Sequence, residues 1–349
     1  MKVNTGNKVF SPLLLLAGAV LMIVSLGMDF THDGNPYRGA MLVCGMVIFF
    51  VGLYLFPTLR HHRAIVYFIF LFPLLFTFAV TVVIPLVLGI GYSFTDWTGI
   101  KMTKVVGLAN YQAMFKDPQF IWSILITFIF VALNMVLINL VGFALALLCT
   151  TKMRGTGFYR AAYFLPNLIG GIVLGYIWQF VFSNVLIRLT NNISLLAKTN
   201  TALFCIILVY IWQYGGYIML IYITGLTQVP ADVIEAAEID GATPSQILFR
   251  VKVPMIRATI TICTFLTLTS AFKQFDVNMS LTNGTGSVAG FMGSYLSQGT
   301  QMLALNIYNT AIAKNNYAQG QAKAVLFFII LAAISLVQVR MSNKKEVEL

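Results

Sequence analysis

Aromatic rings, amides and hydroxyls stand inside stretches of this chain that are otherwise apolar. Tyr210, Trp212, Gln213, Tyr214 and Tyr217 surround the pair Gly215-Gly216. Tyr176, Trp178 and Gln179 form a smaller group, and Thr267, Ser270, Lys273, Gln274 and Asp276 a third. Aromatic faces, amides and hydroxyls of this kind are costly in lipid unless they face a cavity. The competing account is an interfacial aromatic belt with amides bonding neighbouring helices. Trp178 fits the belt better. Lys273 and Asp276 are spaced i, i+3, which on one helical face makes them a structural or gating pair that neutralises itself. Gly170-Gly171 and Gly215-Gly216 read as places of close helix packing or a kink.

Bond-breaking chemistry has no comparable cluster. The three histidines, His32, His61 and His62, sit in loops. The four cysteines, Cys44, Cys149, Cys205 and Cys263, lie in or at the ends of apolar runs without metal or redox spacing, and read as small hydrophobes. No Gly-x-x-x-x-Gly-Lys-Ser/Thr sequence is present. The expectation is a chain with no catalytic residue, no metal site and no bound cofactor.

The elements that position these groups follow from composition. Of 349 residues, 59% are hydrophobic and 9% charged, against roughly 25% charged in an ordinary soluble domain. Mean hydropathy is +0.86. Too few charges remain to cover a soluble surface, so the solvent is a lipid bilayer. Continuous apolar runs, rather than alternation, exclude a transmembrane β-barrel and predict an all-α membrane protein. Runs at Ser11–Met28, Gly39–Pro57, Ala64–Tyr92, Ile121–Cys149, Ala161–Phe182, Thr201–Leu226, Ala258–Ser280 and Ala324–Val339 predict eight spans. The first reads as an uncleaved helix rather than a signal peptide, because no small-x-small cleavage site follows Met28.

Charge sets the expected orientation. The net charge of +11 would point to nucleic acid in a soluble protein, but here its source is topogenic and no nucleic-acid partner is expected. Lys2, Lys8, Arg60, Arg63, Lys152, Arg154, Arg160, Arg250, Lys252, Arg257, Arg340, Lys344 and Lys345 lie densely on one side. Arg38, Lys101, Lys104, Lys116, Arg188, Lys198, Lys314 and Lys323 are spread over longer loops on the other. The denser set faces the cytoplasm, which puts both termini inside.

The loop from Gln228 to Arg257 has explicit helix punctuation. Asp232 reads as an N-cap with Glu235 as its capping-box partner, and Gly241 as the left-handed residue ending that helix. Thr243 then caps a second helix, with Pro244 at its first position and Gln246 completing another capping box. Ile247, Leu248 and Val251 give it an apolar face and Pro254 limits it. Two short helices joined by a sharp turn make a rigid knob on the cytoplasmic side. Such a knob is either a docking element or a connector between two spans.

Glu235-Ala236-Ala237, Gly241 and Val251-Lys252-Val253-Pro254 match the spacing of the "EAA" motif, with Val251 and Val253 in place of the usual Ile and Leu. The chain therefore resembles the binding-protein-dependent permeases of ATP-binding-cassette importers, over about Val66 to Met341. Tyr92-Ser93-Phe94-Thr95-Asp96-Trp97, Val106-Gly107-Leu108-Ala109-Asn110-Tyr111, Arg160-Ala161-Ala162-Tyr163-Phe164-Leu165-Pro166 and Phe275-Asp276 with Leu281-Thr282-Asn283-Gly284 resemble the carbohydrate-uptake subfamily. Within it, the likeness is to the F-type half of the maltose and multiple-sugar permeases. Gly284-Thr285-Gly286 stands where that family has Gly-Gly-Pro.

The resemblance implies a six-span type I permease core at 64–341, an extra hairpin at 1–63 and a cytoplasmic tail at 342–349. It implies that Glu235, Ala236, Ala237, Asp240, Gly241, Ala242 and Pro244 couple the chain to an ATPase. It places a mid-membrane sugar site near Tyr210, Gln213, Tyr214, Ser270 and Gln274. The implied partners are a G-type permease, two ATPase subunits that carry ATP and Mg, an extracellular or periplasmic solute-binding protein, and a carbohydrate. An ion-coupled secondary transporter is the alternative. It would need internal symmetry and buried acids, whereas Asp276 is the one clear intramembrane acid.

Overall fold

A computed structural model describes residues 7–30, 36–55, 62–102, 104–151, 154–190 and 194–343. Lys2, Arg60, Lys152, Lys344, Lys345, His32, His61, the expected span end at Pro57 and the tail beyond Asn343 lie outside the described residues. The chain divides into two compact units, Met1–Leu88 and Gly89–Leu349.

The first unit begins with helices α1 (Asn7–Phe30) and α2 (Arg38–Tyr54), which pack as a hairpin. Their contact is close because glycines leave room: a Cβ on Gly18 would lie 2.6 Å from the Phe49 nitrogen. The Ser11 hydroxyl donates across it to the Gly52 carbonyl (2.7 Å), so this polar group is satisfied inside the apolar pair. Helix α3 (His62–Phe78) follows, then a π-helical turn (Ala79–Val83) and α4 (Ile84–Ser93).

The second unit continues with α5 (Ala109–Phe115), α6 (Pro118–Thr150), α7 (Thr156–Leu168), α8 (Gly171–Phe180), α9 (Leu186–Thr190) and α10 (Thr199–Thr227). Beyond them come α11 (Ala231–Ile239), α12 (Pro244–Gln246), α13 (Val253–Met255), α14 (Arg257–Phe272), α15 (Leu303–Tyr308) and α16 (Tyr317–Asn343). Helices α6 and α10 form the spine. Phe130, Ile138, Tyr210, Ile218 and Met219 are fully or almost fully buried between them and their neighbours. Among the described residues, the only paired strands are β1 (Val288–Phe291) and β2 (Ser294–Leu296), an antiparallel hairpin.

Among the described residues, five helices are long and apolar enough to cross a bilayer: Phe70–Ser93, Pro118–Thr150, Gly171–Arg188, Thr199–Thr227 and Tyr317–Arg340. A sixth arises if Pro244–Met255 and Arg257–Phe272, bent by 72°, count as one span. Phe10–Ser25 and Arg38–Tyr54 are shorter apolar helices. The expected all-α membrane architecture is therefore present.

Three expectations need correction. The seventh predicted span is not continuous to Ser280: α14 ends at Phe272, and a π-helical turn forms only at Asn278–Thr282. The last helix starts at Tyr317, not Ala324, because the Asn316 side chain accepts from the Gln319 backbone N–H (3.2 Å). Lys323 consequently belongs to that helix and is 1% exposed, not a loop charge. Its cost of burial is offset by Asp117, Asn306 and Thr310, which are distant in sequence.

Candidate coupling loop and translocation site

The loop after α10 is organised by its caps. Gly241 adopts φ +77°, the left-handed region that lets the chain leave α11. The Ala242 N–H donates to the Ala237 carbonyl and the Gly241 N–H to the Glu238 carbonyl, both at 3.0 Å. This pair of bonds is a Schellman closure of the helix C-terminus. Thr243 then caps α12 as the sequence predicts. Its hydroxyl accepts from the Gln246 N–H (3.4 Å) while the Gln246 side chain accepts from the Thr243 N–H (2.8 Å).

Two details differ from expectation. The N-cap of α11 is Pro230, and Asp232 lies inside the first turn, where its charge complements the helix dipole instead of capping. Pro254 does not limit the second helix; the helical path runs on to Met255 and turns at Ile256. Proline cannot donate to the preceding turn. A π-helical stretch at Ile247–Lys252 widens the backbone just before it, with the Val253 N–H reaching the Leu248 carbonyl.

No residue of α11 is buried, and two large apolar side chains stand exposed on the loop among its acidic residues. Ile239 is 86% exposed and Phe249 65% exposed. Glu235, Ala236, Asp240, Gly241 and Pro244 are all exposed, with Ala237 and Ala242 half-buried between them. The seven motif residues thus share one knob built from α11, the Gly241 turn and the start of α12.

The polar groups of the spans fall on two faces of α10. At 100° per residue, Tyr210, Gln213, Tyr214 and Tyr217 share one face, and Leu208, Ile211, Trp212, Gly215 and Gly216 the opposite one. Tyr210 is fully buried, its ring 4.4 Å from that of Tyr214 and 5.2 Å from that of Phe130. Its hydroxyl makes no hydrogen bond of good geometry among the described residues. Gln213 donates a long bond to the Ile169 carbonyl (3.4 Å). Gln274 is also buried with its Nε2 unpartnered. Ser270 is half-buried on α14. Unsatisfied buried donors are costly, so these two positions are where a ligand or water has groups to meet.

The break after Phe272 holds one member of this set and adjoins the junction that another one bonds. Non-helical backbone at membrane depth is tolerated where it is enclosed by protein or lines a cavity. Gln274 lies within the break, and Asp276 follows it against Gly171, where an added Cβ would meet the Asp276 Cβ at 2.7 Å. Gly171 and Ile169 belong to the same α7–α8 junction, so that junction joins Gln213 to the break. The Lys273–Asp276 pair is not formed. The i, i+3 argument presumed an unbroken helix, whereas Lys273 is the C-cap, and the two exposed side chains share no ion pair.

Sequence reasoning missed two features here. Trp178 and Trp212 meet edge to face (5.5 Å, 78°) and line a cavity of about 620 Å³ with Tyr163, Gly215 and Gly216. Trp178 is therefore not simply a belt residue. Nearer the coupling loop, the Tyr222 hydroxyl donates to Asn139 Oδ1 (2.9 Å), and Asn139 Nδ2 donates to Thr267 (3.3 Å), linking α10, α6 and α14. Polar residues one per span carry no periodic signal. The glycine reading holds: the carbonyl of Tyr163 presses on Gly216, so α7 and α10 touch backbone to backbone there.

Comparison with known proteins fits this architecture. Residues 139–345 match the family described as "Binding-protein-dependent transport system inner membrane component". The chain belongs to that family, and so is a multi-pass permease component of a transport system. It is 42% identical over 289 residues to the probable starch degradation products transport system permease protein AmyD of Thermoanaerobacterium thermosulfurigenes, covering 81% of this chain and 96% of that protein. It is 29% identical to the multiple sugar-binding transport system permease protein MsmF of Streptococcus mutans, covering 75% and 90%. A crystal structure of a bacterial ABC transporter involved in import of the acidic polysaccharide alginate shares the fold, with TM-score 0.67 at 19% identity over 81% of this chain and 97% of that one. The secondary-transporter alternative receives no support from these matches.

Proposed function

We propose that this chain is the F-type permease half of an ATP-driven carbohydrate importer, moved by separate ATPase subunits through the loop at 228–257. The observation that carries this reading is the knob itself. It holds the family motif, is fixed by a Schellman closure and a capping box, and presents Ile239 and Phe249 to a partner. A rigid projection transmits a push, whereas a loose connector would absorb it.

In the cycle, loaded binding protein docks outside and ATP closes the ATPase dimer. The knob converts that closure into opening of the cavity outward, and hydrolysis resets the permease inward. ATP and Mg stay on the ATPase subunits, and a G-type permease supplies the other half of the path. Both termini face the cytoplasm, on the side of the knob. Tyr210, Gln213, Tyr214, Ser270 and Gln274 hold the sugar. The relatives' names make α-glucan fragments from starch the first substrate class to test. The experiment is uptake of labelled maltooligosaccharides by proteoliposomes holding the assembled complex, with binding protein. Uptake that requires internal or external ATP on the knob's side supports the reading. Uptake that instead survives ATP removal and follows an imposed ion gradient overturns it.

A further inference from the structure

Lys323 is a buried charged group that the translocation mechanism above leaves without a task. Its ammonium has three protons and finds three oxygens: Asp117 Oδ2 (3.3 Å), Asn306 Oδ1 (2.9 Å) and Thr310 Oγ1 (2.9 Å). The three acceptors come from two other elements. Asp117 caps the start of α6, where its other oxygen accepts from the Gln119 N–H (3.0 Å), and Asn306 and Thr310 lie one turn apart on the helical segment beginning at Leu303. Lys323 also sits 5.0 Å from the centre of the Phe120 ring.

A static brace does not need this design. An ion pair with one buried partner adds little stability over packed apolar side chains, so its presence here fits a contact that must open and reclose. The segment that Lys323 holds is fastened in a matching way. Trp122 donates to the Gly299 carbonyl (2.8 Å), Gln119 to the Gln298 carbonyl (2.9 Å), and the Leu303 N–H to Thr127 (2.8 Å). These are single side-chain-to-backbone bonds to α6, which can part as a set without unzipping a strand ladder. Lys323 is 1% exposed, but the Asp117 side chain is 28% exposed, so the charged partner lies where water or a docking protein reaches it.

We propose that Lys323 is the pin of a latch, clamping residues 298–313 between α6 and α16 at the outer end of the path, and that docking of the loaded binding protein releases it. This rests on the importer reading above. The test is ATP hydrolysis by the assembled importer in nanodiscs, with and without binding protein, for wild type, Lys323→Met and Thr310→Val. The latch predicts that Lys323→Met raises hydrolysis without binding protein about fivefold or more, with little further stimulation when it is added. Thr310→Val, which removes one of the three bonds, raises it about twofold. If Lys323→Met fails to assemble, Thr310→Val decides alone. Assembled variants with wild-type basal and stimulated rates overturn the latch and leave the importer reading standing. A wild-type complex that binding protein never stimulates overturns both.

Discussion

Replacing Gly241 separates a transmitting knob from a passive connector. An added Cβ at this position meets nothing within 4 Å, so Gly241→Ala introduces no clash. What it adds is a side chain at φ +77°, which costs an L-residue about 1–2 kcal/mol. Because the knob is exposed and closed by its own bonds, that cost falls on the turn and not on the membrane core. A shift of this size changes the population of the native turn by a factor of about 5–30. Gly241→Asn is the control, since asparagine tolerates the left-handed region. Gly241→Pro is the extreme, because it also deletes the N–H that bonds the Glu238 carbonyl. The assay is binding-protein-stimulated ATP hydrolysis and sugar uptake by the reconstituted complex, with permease insertion checked by gel filtration. Stimulation should fall in the order Gly, Asn, Ala, Pro while insertion is unchanged. Proline at wild-type stimulation, or asparagine as damaging as proline, would refute the reasoning.

Two further substitutions probe the spans. Gly216→Ala must push α7 from α10, since the new Cβ would strike the Tyr163 carbonyl; overpacking of this kind costs about 1–3 kcal/mol, and a thermal-shift assay in detergent should show a lower Tm. Gln274→Leu removes a buried amide whose Nε2 has no protein partner. If that group serves the sugar, uptake falls while Tm holds or rises, because burying an unsatisfied donor is itself costly. A loss of Tm with transport intact would mark Gln274 as structural.

Local rules reached some of this molecule and not the rest. The spans were legible because lipid demands long apolar runs, and the Gly241 and Thr243 caps because their bonds lie within a few residues. Asp232 misled, since an acidic residue near a helix start suits either the cap or the first turn. The break after Phe272 has no proline or glycine at Lys273-Gln274-Phe275 to announce it. Lys323 read as a loop charge because Asp117, Asn306 and Thr310 are brought to it only by the folding of three elements. The sugar-site residues were legible as types, but Tyr210 and Gln274 gain their meaning from unpartnered polar atoms that only packing reveals.

The most direct measurement of the central claim is site-specific cross-linking in the assembled complex. Ile239→Cys carries the label at the knob's exposed tip, and Tyr295→Cys, 70% exposed on β2, carries it on the hairpin. Ile239→Cys should capture an ATPase subunit and Tyr295→Cys should not. Capture of the ATPase from Tyr295→Cys, or none from Ile239→Cys in a complex that hydrolyses ATP, would contradict it.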